Sequence, residues 1–107
     1  MTGPDRVLTI ELVDAGLDRV NRAMDRGRIA HVRGRLDRAG LAARMTVLHR
    51  RRARWWAVLE RTTINDAAVH VVYLRAVVLA RGEAEESARW WSEEVARVGP
   101  ARPRVAR

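Results

Sequence analysis

Between Thr63 and Gly82 the chain reads TINDAAVHVVYLRAVVLARG, apolar on nearly every side of a helical projection, and no other stretch constrains the fold as strongly. At 100° per residue, Ile64, Ala67, Ala68, Val71, Val72, Leu74, Val78 and Leu79 cover one broad arc, while Val69, Tyr73, Ala76 and Ala80 cover most of the rest. A helix of that kind has to be surrounded. Thr63 followed three residues later by Asp66 resembles a capping box, and Gly82 stands where a left-handed C-cap glycine belongs. The β-branched load of Val69, Val71, Val72, Val77 and Val78 suits a strand, but segment length and end signals favour the helix. The prediction is a buried central helix over 63–82 with the other elements packed around it.

In chain order, VLTIELV at 7–13 alternates in the manner of a strand and equally suits the first turns of a helix. Asp14 can cap a helix whose stripe is Val13, Leu17, Val20 and Met24, with Gly27 as its stop. A weaker helix over 28–40 carries Ile29, Val32, Leu36 and Ala39 on one face, with Gly34 in its interior costing roughly 1 kcal/mol relative to alanine. Leu41 to Arg61 is far stronger: Leu41, Met45, Leu48, Trp55, Trp56 and Leu59 share one side, and Arg44, Arg50, Arg51, Arg54 and Arg61 the other. Over 83–98, Ala84, Ala88, Trp91, Val95 and Val98 repeat at helical spacing, Glu85–Arg89 and Glu93–Arg97 form i,i+4 pairs, and Gly99–Pro100 ends the helix. The expected fold class is all-α, a compact bundle of four or five short helices around the buried central one. The helical domain is expected over 1–99 and a disordered basic tail, ending ARPRVAR, over 100–107. The alternative is α+β, with a strand at 7–13.

At 107 residues such a domain buries roughly 60–70% of its unfolded surface and folds without staples. The absence of cysteine excludes disulfides, thiolate metal sites and cysteine nucleophiles. Asp5 and Glu11 stand where a secretory signal would need a basic start and an apolar run. His70 and Arg75 interrupt the central segment short of the ~20 apolar residues that span a bilayer. A cytoplasmic protein without a membrane partner is expected.

Little in the chain points to catalysis. His31, His49 and His70 lie far apart, with no histidine or carboxylate three or four residues further on, so boundary histidines are expected rather than metal ligands. The acids sit in helix first turns and ion pairs, Ser87 and Ser92 lack a glycine elbow, and Gly27, Gly34 and Gly40 are too widely spaced for a phosphate loop. No enzyme and no cofactor is expected. Arg52 and Arg75 fall within apolar arcs, where they either reach out to water and to Glu60 and Glu83 or hold an anion.

Charge carries the positive signal. The net charge is +8, all 21 basic residues are arginine, and 26–54 holds ten arginines against Asp37 alone. An arginine-rich helical face of Arg44, Arg50, Arg51 and Arg54, extended by Arg33, Arg35 and Arg38, predicts nonspecific or weakly specific nucleic-acid binding by a small regulator or accessory factor. The competing reading is an oligomeric protein-interaction module that presents Trp56 and Trp90 and apolar surface to a partner. A weaker one is a bundle that senses a small molecule.

The stretch RVLTIELVDAGLDRV resembles the strand and first helix of ribbon-helix-helix repressors over about 20 residues, which would imply a two-stranded ribbon in the major groove. Glu11 on the face that would meet DNA, and the lack of a cap near Arg28, keep the chain from being assigned to that family. A helix-turn-helix over 29–54 fails too, because Gly40 or Thr46 falls where a buried aliphatic residue is needed.

Overall fold

A computed structural model describes residues 3–100, with side chains from residue 7 onward. Three long helices account for almost all of it: α1 (Gly3–Val32), α2 (Arg38–Ile64) and α3 (Val71–Val98). The all-α class holds, but the four or five short helices do not form, and the described residues contain no strand. Residues 7–13 are helical, continuous with the stripe of Val13, Leu17, Val20 and Met24, which removes the α+β alternative and the ribbon with it. Apart from Pro100, the expected tail lies outside the described residues.

The merging of elements turns on which glycines take a left-handed φ. Gly27 does not end α1: its φ is not positive and the helix runs on, with α2 packed close, Arg44 Cδ lying 3.2 Å from where a Cβ would stand. The stop comes at Gly34, which takes φ +74. There Arg35 N donates to Ala30 O (2.8 Å) and Gly34 N to His31 O (3.0 Å), the paired bonds of a Schellman cap. His31 Nδ1 donates to Leu36 O at 2.8 Å and braces the turn. The expected helix over 28–40 is therefore split between the end of α1, this turn and the start of α2. Asp37 caps α2 by accepting from Gly40 N at 2.7 Å.

The Thr63–Asp66 pair likewise belongs to an end and not to a start. Thr63 is buried and donates to Leu59 O (2.7 Å), Asn65 Nδ2 donates to Arg61 O (2.9 Å), and Asp66 accepts from Ala68 N (3.0 Å) in the turn after α2. α3 begins at His70, whose Nδ1 accepts from Val72 N at 3.1 Å. Gly82, expected as a stop, is an interior residue of α3 with open space around it. The buried stripe of Val77, Ala84 and Ala88 passes through it in register. The actual C-cap is Gly99, with φ +77.

The helices run up, down and up. α2 is the middle element, since α1 and α3 both pack on it and no Cα of α1 comes within 8 Å of one of α3. One buried cluster joins Val20 and Met24 of α1 to Leu41, Met45 and Leu48 of α2. A second joins Val13, Leu59 and Val77, one residue from each helix, and Trp55 packs against both clusters. Full burial of Met45 and Val13 contributes about 1.5–3 kcal/mol each. Thr46 and Thr62 reach burial at low cost, each returning its hydroxyl to the carbonyl four residues back. The result is elongated, 58 × 24 × 17 Å with a radius of gyration of 17.0 Å, against roughly 13 Å for a compact chain of this length.

The predicted central helix is thus overturned. Of 63–82, Thr63 and Val77 are buried, whereas Ile64, Val71, Val72, Tyr73 and Leu79 are exposed. The segment straddles a turn, and its α3 half lies at the periphery.

Candidate nucleic-acid interface

Burial of Leu41, Ala42, Met45, Thr46, Leu48 and His49 fixes which side of α2 faces water. That side carries Arg44, Val47, Arg51 and Arg54 at i, i+3, i+7 and i+10, with Arg50 beside them, and all five are exposed. From Arg44 to Arg54 the ridge rises ~15 Å.

Each flank adds arginine from a neighbouring helix. The groove between α1 and α2 is an open depression of about 560 Å³ lined by Arg26, Arg44 and Arg51 over Ala23, Ala43, Val47 and Leu48. The groove between α2 and α3, about 580 Å³, is lined by Arg50, Arg54 and Arg89 with Ala53, Ala88 and Glu85. Glu85 is engaged by Arg81 at 2.9 Å instead of by Arg89, the i,i+4 partner expected from sequence, and this leaves Arg89 turned to the groove. Among the described residues none of Arg26, Arg44, Arg50, Arg51, Arg54 and Arg89 has an ion-pair partner. Arg26 and Arg89 were invisible to sequence reasoning, since their place depends on which faces of α1 and α3 meet α2.

The other predicted arginines divide. Arg33 and Arg35 are exposed in the turn that leads into α2, beyond the Arg44 end of the ridge. Arg38 is committed elsewhere: its guanidinium pairs with Glu94 and lies 5.1 Å from the centre of the Trp91 ring. Arg97 holds Glu94 from the other side, in place of the expected pair with Glu93. Hydrogen bonds from Arg97 and then Arg38 hold the Glu94 carboxyl down at about 2. Of the two residues that looked odd in sequence, Arg75 is exposed and Arg52 half-buried, while Glu60 pairs with Arg81.

The tryptophans part company as well. Trp90 is half exposed and meets Trp91 edge to face at 4.8 Å. Trp56 is partly buried against the Val13–Leu59–Val77 cluster, and its indole N–H finds no hydrogen-bond partner among the described residues. The expected boundary position of His49 is corrected, for the ring is buried and stacks on Trp91 at 6.4 Å. Burial first, then the charges of Arg52 and Arg28, push its pKa below the ordinary value. No group of side chains among the described residues has the composition to hold a metal ion. No described helix is long and apolar enough to cross a membrane.

What the fold and this face define is a three-helix, all-α protein with an unneutralised arginine ridge on its middle helix. No protein family matches the chain, and no curated protein or solved structure gives a significant match.

Proposed function

We propose that this protein is a non-enzymatic nucleic-acid binder that holds the phosphate backbone on the solvent face of α2, as a small regulator or accessory factor. The observation that carries this reading is the set of six arginines from three helices, without ion-pair partners among the described residues, around one exposed ridge. Guanidinium groups match phosphate oxygens in pairs and keep their charge at any working pH. A ridge of ~15 Å covers about four phosphates of one strand at 3.4 Å axial rise.

The same face argues for weak sequence preference. Among the arginines lie Ala43, Val47 and Ala53, and no asparagine or glutamine stands there to read base edges. Fluorescence anisotropy of a labelled duplex at about 50 and 200 mM salt tests the reading. Six neutralised phosphates give an expected affinity loss on the order of 10³ between those salts. No binding at the lower salt overturns it.

A further inference from the structure

Ten of the fourteen large apolar side chains exposed among the described residues sit at one end of the molecule. They come from 7–12 of α1, from Ile64 at the end of α2, and from 71–79 of α3. The antiparallel order brings these together: Val13, Leu59 and Val77 share a cluster at this end, while Arg38 meets Glu94 at the other. We propose that this apolar end docks a second copy of the same chain.

Size is the first argument. The ten side chains are 36 to 69% exposed. Full burial of one aliphatic side chain covers on the order of 100 Å², so the ten, about half exposed, offer roughly 500 Å² to water. That stands at the upper end of the roughly 300–600 Å² of a monomer's largest apolar patch, which is often a functional surface, against about 800 Å² for each side of a standard stable interface. Helical segments apolar on nearly every side require cover that the described chain does not supply.

Charge selects the occupant. A two-fold interface brings one patch against itself, so the patch must complement its own charges. Across 7–13 and 71–80 the charged residues are Glu11 on α1 and Arg75 on α3, opposite in sign, exposed, and without an ion-pair partner among the described residues. Two copies related by a two-fold axis can set Glu11 of each against Arg75 of the other. Arg61, exposed and three residues before Ile64, puts one positive charge beside the patch, while the ridge ends at Arg54, ten residues or ~15 Å along α2 and beyond the Debye length of about 8 Å. A bilayer surface would favour arginine without carboxylate among the apolar side chains, whereas here Glu11 stands in the patch opposite in sign to Arg75 and Arg61.

Light scattering coupled to size exclusion of the full chain at about 50 μM reads the outcome. A mass twice the 12.2 kDa of the chain is expected. Val72→Glu with Leu79→Glu, both at exposed positions, should return it to one chain mass with far-UV circular dichroism unchanged. Glu11→Arg should weaken association at least tenfold, and adding Arg75→Glu should restore it. Arg50→Gln with Arg51→Gln and Arg54→Gln should leave the mass unaltered, so this result is independent of nucleic-acid binding. A single-chain mass for the unaltered protein overturns the proposal, as does a dimer indifferent to the two glutamates. Sedimentation of single-chain protein with anionic vesicles, lost in Val72→Glu/Leu79→Glu, overturns it in favour of a membrane surface.

Discussion

The indole of Trp55 occupies the space that a side chain on Gly16 would need: Trp55 Cε2 lies 2.1 Å from the position of a Cβ at residue 16. α1 reaches α2 over the flat face of a large ring because residue 16 has no side chain, and that ring touches both core clusters. A contact of 2.1 Å cannot be absorbed without moving the ring or the helix. Gly16→Ala should therefore cost about 2 kcal/mol net, overpacking outweighing the gain in helix propensity. A fall in Tm on the order of 10 °C by circular dichroism checks it. Trp55→Leu in the same chain should recover part of the loss, because the two changes share one contact.

Gly82 predicts the opposite sign. It lies in the interior of α3, its φ is not positive, and nothing stands within 4 Å of where a Cβ would be. Gly82→Ala should raise stability by about 0.5–1 kcal/mol, read as a higher denaturant midpoint at constant slope.

These two glycines also show where the sequence is legible. The stripes of Val13, Val20 and Met24, of Leu41, Met45 and Leu48, and of Ala84 and Ala88 are all buried, because apolar spacing at 3.6 residues fixes an inward face whatever the topology. The end expected at Gly99 is where α3 stops, but those expected at Gly27 and Gly82 are not ends, because glycine caps a helix only where the chain takes a left-handed φ. Gly34 and Gly99 do so; Gly27 and Gly82 do not. Nothing in the flanking sequence distinguishes them, and what packs against Gly27 comes from α2. The 63–82 stretch misled for a related reason, since an all-round apolar helix states that it must be covered but not by which chain. The α2 basic face was visible from periodicity. Its flanking Arg26 and Arg89 depended on interhelical register, and the loss of Arg38 to Glu94 on a contact 56 residues away.

The ridge and Arg38 should separate experimentally. Arg50→Gln with Arg51→Gln should lower the magnitude of the log–log salt slope of binding by about 1.8, near 0.9 per phosphate contact, with thermal stability little changed. Arg38→Gln should do the reverse, reducing stability through the loss of its pairing with Glu94 and its stack on Trp91 while leaving the slope unaltered. Equal slopes for the two variants would count against the α2 face.

Acid should lower the protein's stability over two pH ranges with distinct owners. Burial favours the neutral ring of His49, so the unfolded chain takes up a proton there more readily than the folded one. Stability from this group is complete above an unfolded pKa of about 6.5 and declines as pH falls below it. Glu94 behaves as a carboxylate held ionised, with a folded value of about 2 against 4.5. Its contribution persists down to about pH 4.5 and is lost between there and about pH 2 as the pairs with Arg97 and Arg38 are neutralised. Urea titrations from pH 8 to pH 2 should show both limbs. His49→Phe, which keeps a ring against Trp91, should remove the upper limb alone, and Glu94→Gln the lower one. A His49→Phe profile still falling between pH 6.5 and 5 would assign that limb to another group.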